Sequence, residues 1–247
     1  MISQPDDPMP ATGREFRTTH WSVVLSAGDS GSSESGFALE KLCQMYWYPL
    51  YAFVRRKGHP HDEAQDLTQA FFAKLLQKNQ IALADPGRGR FRTFLLHSME
   101  NFLHSHHRDA TALKRGGGRE VISLDAETAE QRYAAQPAGT IPTAVYEREW
   151  IGTMLESVLS TVRREFSVSG KEELFSYLEP HLWGDDTSTP YAQVAERLNM
   201  TVVSVRVTIH RLRQRFHDLL RETIAETVAD PSEIEDEIRY LRRVLAG

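Results

Sequence analysis

Apolar residues recur at intervals of three and four along almost the whole of this 247-residue chain, and runs that alternate apolar with polar are scarce. That period belongs to the α-helix and not to the strand. It is clearest in TVVSVRVTIHRLRQRFHDLL (residues 201–220), where Val205, Ile209, Leu212, Phe216 and Leu219 are spaced four, three, four and three. Such spacing lays one apolar stripe along a helix, and the stripe must pack on something. The fold class expected is all-α. Apolar residues make up 40% of the chain, enough for a packed core.

The organisation expected is two small helical domains joined by a flexible linker, the second a helix-turn-helix. Residues 1–18 read as a disordered N-terminus. A first domain spans 19–115, with helices over about 37–57, 61–79 and 91–113, interrupted at GHPHDE (58–63) and ADPGRGR (84–90). Residues 114–143 hold four Gly and two Pro with no steady period, so 116–143 reads as the linker. A second domain spans 144–228. Residues 229–247 form a C-terminal helical extension, because PSEIEDEIRYLRRVLAG opens with proline and then acids, a helix start.

The second domain carries the most specific local signal. In TSTPYAQVAERLNMT (187–201), Thr189 is expected to cap a helix with Pro190 at its first position. Asn199 falls where a tight turn needs a left-handed residue, and Thr201 caps the helix that follows. On that helix Val203, Val207, His210, Arg211 and Gln214 point away from the apolar stripe, with Arg206 and Arg213 on one flank and Arg215 on the other. Over 202–221 five arginines stand against the single Asp218, a net of +4 in a chain whose formal charge is −5. A helix fits the DNA major groove, and arginine bonds bidentately to guanine or phosphate. The plain alternative is a solvated amphipathic helix.

A second basic cluster lies in 88–119, where Arg88, Arg90, Arg92, Arg108, Lys114, Arg115 and Arg119 face only Glu100 and Asp109. Within FRTFLLHSMENFLHSHHRD, Phe91, Leu95, Ser98 and Phe102 make the stripe expected to be buried. Thr93, His97, Glu100, Asn101, His104 and Arg108 share the other side. Amides and cations beside a Gly/Arg-rich turn suit single-stranded nucleic acid or a flipped base. The preceding helix differs. Ala64, Leu67, Phe71 and Leu75 face inward, while Asp62, Asp66, Gln69 and Ala73 face outward with Phe72 at the margin. An acidic face repels DNA, and its apolar edge suggests a protein partner; an ordinary solvated face fits the pattern equally.

Other classes find less support. One cysteine, Cys43, gives neither a disulfide framework nor a thiolate cluster, as expected of a reduced, cytoplasmic protein. The N-terminus lacks the apolar core of a signal peptide, and no apolar run reaches the length of a membrane span. HPHDE and HSHH are the only candidate metal motifs, and neither has an established ligand spacing. No nucleophile–base pairing, phosphate loop or paired carboxylates is legible, so no catalytic residues, metal or cofactor are assigned and the chain is not expected to be an enzyme.

On these residues the chain resembles a bacterial RNA polymerase sigma factor of the extracytoplasmic-function type over nearly all of 37–226. The "D-A-x-D-L-x-Q-x-x-F" core of sigma domain 2 corresponds to Glu63-Ala64-Gln65-Asp66-Leu67-Thr68-Gln69 through Phe72. GRFRTFLLHSMENFLHSHHRD resembles the promoter-melting and −10-reading part, and YAQVAERLNMTVVSVRVTIHRLRQRF the domain 4 helix-turn-helix. TTHWSVVL, YWYPLYAFVRRKG and KRGGG resemble a subgroup from environmental bacteria with a C-terminal extension like 231–247. The resemblance implies that Asp66, Gln69 and Phe72 dock on the β′ clamp helices, and Asp62 joins them as a polymerase-binding candidate from the outward acidic face. The resemblance places Arg88, Gly89 and Arg90 in a base-holding loop and matches Asn101 to an asparagine that lines that pocket; His104 and Arg108, on the same side of the helix as Asn101, join the −10 candidates from the residue pattern. It places Arg206, Val207, His210 and Arg211 at the −35 element, and Val203 and Arg213 join them as candidates from their positions off the apolar stripe. Implied partners are core RNA polymerase, through the β′ clamp helices and the β flap, and promoter DNA; an anti-sigma protein is allowed, a membrane is not implied. Val207 stands where the family often has a polar residue, Asn199 where it often has glycine, and His97 and His104 are not family hallmarks. The alternative class is a helix-turn-helix regulator acting without polymerase docking.

Overall fold

The structure, a computed structural model, describes residues 33–77, 90–110, 126–184, 190–228 and 230–246. Every regular element among them is helical. In chain order these are α1 (Ser33–Arg56), α2 (His61–Gln77), α3 (Phe91–Ala110), α4 (Ala126–Ala134), α5 (Pro142–Val168), α6 (Glu172–Leu178), α7 (Tyr191–Arg197), α8 (Val202–Ala225) and α9 (Ile234–Ala246). Short 3₁₀ turns cover Glu179–Leu182 and Pro231–Glu233. The expected N-terminal segment 1–18 lies outside the described residues.

α1 is apolar nearly all round from Leu42 to Val54, and all of those residues but Gln44 are buried. α2 and α3 cover it with Ala64, Leu67, Phe71 and Leu75 and with Phe91, Leu95, Met99 and Phe102. α5 supplies what α2 and α3 leave open: Val145, Tyr146, Trp150, Ile151 and Met154 complete the same core. One turn further along, Val158, Leu159 and Val162 of the same helix enter a second core with Phe175, Leu178, Val194, Val205, Ile209, Leu212 and Phe216. A single helix therefore runs through both cores.

This departs from the two-domain reading at three places. Residues 126–134, expected to be linker, form α4, because Ala, Glu, Gln and Arg, all good helix formers, make up all of AETAEQRYA but Thr128 and Tyr133; the glycine triplet that dominated the composition of 114–143 lies upstream of it. α4 is also fastened. Glu130 accepts from Arg55 Nε at 3.0 Å and from the Tyr51 hydroxyl. His61 Nδ1 stands 2.7 Å from that hydroxyl. A phenol has one proton, so with Tyr51 donating to Glu130, Nδ1 carries the hydrogen of the other bond. Burial tends to raise the Glu130 carboxyl, yet the bonds from Arg55 and Tyr51 outweigh it and hold the group below the usual carboxylate range. Second, α5 begins at Pro142, inside the expected linker, and Arg132 ties α4 to it through Glu149 at 2.9 Å. Third, α9 is packed and not pendant: Ile238 and Leu241 are buried in the first core. Each such side chain contributes roughly 1.5–3 kcal/mol on burial.

Candidate nucleic-acid interface

The turn between α7 and α8 is fixed by backbone chemistry. Asn199 sits at φ 51°, in the left-handed region that its sequence position requires. Met200 N–H donates to Ala195 O at 2.8 Å and Asn199 N–H to Glu196 O at 3.2 Å, so the last carbonyls of α7 are satisfied and the chain reverses. Thr201 Oγ1 then accepts from Ser204 N–H at 3.1 Å, capping α8. Pro190, expected to be the first helical residue after a Thr189 cap, is itself the N-cap of α7; its carbonyl accepts from Gln193 and Val194. Thr189 lies outside the described residues.

α8 turns Val205, Ile209, Leu212, Phe216 and Leu219 into the second core and Ile224 into the first, which fixes what it shows to solvent. Val203, Arg206, Val207, His210 and Arg211 are exposed together on that outer side, Val203 at 70% and Val207 at 44%. Arg206 lies 5.9 Å from the Tyr191 ring centroid, held against α7. Arg211 is exposed beside Lys171 and Thr208 in a groove of about 430 Å³. The other arginines of α8 serve the fold. Arg213, expected in the DNA-reading set, bonds the His181 carbonyl through Nε at 3.0 Å and Nη2 at 2.7 Å. Its flank position brings it over the 3₁₀ turn that carries that carbonyl. Arg215 donates from Nε to Glu165 on α5 at 3.0 Å. Arg221 pairs with Glu235 on α9.

On the first core, α3 exposes Thr93, His97, Asn101 and His104 in one row. Glu100 beside them is paired with Lys57 at 3.6 Å and His97 Nδ1 at 3.5 Å, so its charge is compensated. Arg88 and Gly89, and the side chain of Arg108, lie outside the described residues. Arg90, expected to be open toward a base, instead pairs with Glu237 of α9, and Arg92 pairs with the same carboxylate. Nothing in the local sequence of α3 signals this. The signal lay elsewhere, in the acidic first turn of α9, and sequence reading gave that turn no role beyond starting a helix.

α2 presents the acidic side as read: Asp62 and Asp66 are exposed and Gln69 is half-buried. Phe72, expected at the outer margin, is buried at 4%, with its ring at 5.7 Å and 70° from Phe71. The apolar stripe of α2 is wider than one row because two helices cover it. The histidines of HPHDE are drawn into the fold, His59 to Glu63 at 3.2 Å and His61 to Tyr51.

The structure thus separates three surfaces: an acidic edge on α2, an amide and imidazole row on α3, and an arginine-bearing row on α8. Residues 44–112, most of α1 through α3, match the family model described as Sigma-70 region 2. The match covers this part of the chain alone and marks it as similar to Sigma-70 region 2. No curated protein and no solved structure matches the chain. No helix among the described residues is long and apolar enough to cross a membrane.

Proposed function

We propose that this chain is a sigma factor of the extracytoplasmic-function type, which carries no chemistry of its own, docks on core RNA polymerase in the cytoplasm and directs it to promoters. The observation that carries the reading is the Sigma-70 region 2 match across α1–α3. The surfaces support a division of labour. Asp62 and Asp66 repel phosphate and suit the basic side of a protein partner, here the β′ clamp helices. Asn101 and His104 offer amide and imidazole groups to the edge of an unstacked base, on the helix whose entry carries Arg90 and Arg92. Val203, Arg206, Val207, His210 and Arg211 lie along a helix of the width that a major groove admits, with valine methyls suited to thymine and guanidinium groups to guanine or phosphate. The second core would meet the β flap, and an anti-sigma protein would compete for the same surfaces.

A regulator that binds duplex DNA alone would need only α7 and α8; it gives no role to the acidic edge of α2. The experiment is a pull-down of core polymerase with the full chain, followed by permanganate probing of unpaired thymines on a bound promoter. Wild type should open a stretch near the start site. Asn101→Ala should still bind but lose reactivity, since one lost base contact costs about 1–3 kcal/mol. Normal opening in that variant would remove Asn101 from the pocket, and absence of polymerase binding by wild type would overturn the reading.

A further inference from the structure

The C-terminal helix meets three arginines of other elements with its acidic first turn. Glu237 pairs with Arg90 and Arg92 at the start of α3, and Glu235 with Arg221 near the end of α8. Glu237 is 0% exposed and Arg92 5%. The Arg92 guanidinium lies 4.6 Å from the Trp150 ring centroid and 4.8 Å from that of Tyr240, between the two. Arg90 faces Tyr240 from 5.6 Å. Behind this polar cluster Ile238 and Leu241 enter the first core, with Ile234 and Val244 packed against it. The seat of α9 is therefore built for this segment: an apolar stripe on one side and one carboxylate aimed at two cations on the other.

We infer that α9 is an intramolecular competitor for the anion-binding edge formed by Arg90 and Arg92, which it holds shut in the free protein and must leave before nucleic acid can reach that edge. The inference rests on reading the start of α3 as a nucleic-acid surface. A carboxylate bonded to guanidinium groups occupies the place that a phosphate or base oxygen would take, with the same acceptor chemistry. The tether from α8 to α9 is only residues 226–233. A short tether gives the helix an effective concentration near the millimolar range, far above that of a dilute DNA site. Apparent affinity for DNA then falls in proportion to the fraction of molecules in which α9 is undocked. α9 also packs on α5 and α8, so its release loosens the helix that bears Arg206 and Arg211 as well. A purely structural Glu237 makes the opposite demand. Removing its charge would leave the buried Arg92 and the half-buried Arg90 without their carboxylate and bring no gain in binding.

The test uses the full chain as wild type, Glu237→Gln and Glu235→Lys, the last touching only the exposed pair with Arg221. Three readouts apply: phenylglyoxal modification of Arg90 by mass spectrometry, anisotropy of a labelled single-stranded DNA oligonucleotide, and amide exchange over 234–246. In wild type, Arg90 should react slowly, and saturating DNA should deprotect 234–246. Glu237→Gln should speed Arg90 modification and tighten DNA binding about tenfold, and Glu235→Lys should move both the same way by a smaller factor. Amides of 234–246 that stay protected with DNA bound would overturn the inference. So would faster Arg90 modification with unchanged or weaker DNA affinity in a folded variant, or no DNA binding by any of the three chains. If Glu237→Gln fails to fold, Glu235→Lys decides by the same outcomes. Polymerase enters none of these readouts, so a chain that fails the polymerase pull-down contradicts the sigma reading separately.

Discussion

Arg206, Arg211 and Arg213 show how far a residue's role depends on what its neighbours leave free. All three were legible as basic residues off the apolar stripe of α8. Their separation was not, because it depends on a carbonyl of His181 and a ring of Tyr191 that the chain brings in from elsewhere. Arg213→Ala should lower stability by about 1–2 kcal/mol, as expected for losing a charged donor to a carbonyl, and should leave promoter preference intact; urea melts and a −35 library check the two halves. Arg211→Ala should relax preference at one base pair and cost about 1–3 kcal/mol if it bonds a guanine. Arg206→Ala should weaken all promoters alike and lower the salt slope by about one. Transcription from a −35 library at two salt concentrations distinguishes them. Asp66→Arg should cost the fold well under about 1 kcal/mol because the side chain is exposed, but weaken polymerase binding by roughly 2–5 kcal/mol if its partner is buried at the contact. Unchanged retention of a helical, soluble variant on core polymerase would remove Asp66 from the interface.

At the scale of elements, the turn between α7 and α8 was the most legible part of the chain, since Asn at a left-handed position and Thr at a cap are local chemistry. Asn199→Ala should destabilise by about 1–2 kcal/mol, while Asn199→Gly should be neutral or slightly stabilising; equal melts for the two would mean that the turn is not held at positive φ. The Glu165–Arg215 pair between α5 and α8 was not legible, because its partners are fifty residues apart. The hydrogen bond from Arg215 holds the Glu165 carboxyl below its usual range, against the opposing effect of burial. A lowered folded-state value means that the contribution is present above the unfolded carboxylate pKa and is lost as pH falls through the folded one. Both side chains are well exposed, so Glu165→Gln should cost only about 0.5 kcal/mol at neutral pH. The difference from wild type should vanish in acid melts. α4 escaped sequence reading for a related reason: a segment dominated by good helix formers was averaged with glycines upstream, and the acceptor that fastens it, Glu130, finds its donors on α1.

For the whole molecule, periodicity carried the helical class but not the way α5 and α9 join the parts, since an apolar stripe does not say which core will cover it. Met154, fully buried in the first core, lies on the same helix as Val158 and Val162 of the second. Met154→Ala should therefore lower the stability of both cores together by about 2–5 kcal/mol, with one unfolding transition by far-ultraviolet dichroism and by tryptophan fluorescence; two separate transitions would restore a pair of independent domains. The claim that organises all of this is that the three surfaces work only on polymerase. Purified core RNA polymerase, supplied with the chain and a genomic promoter pool, should yield transcripts with defined starts that are absent without the chain and lost with Asp66→Arg, while the chain alone binds duplex DNA weakly. Tight, sequence-specific binding of the chain to duplex DNA, with no chain-dependent transcript from core polymerase, would contradict it.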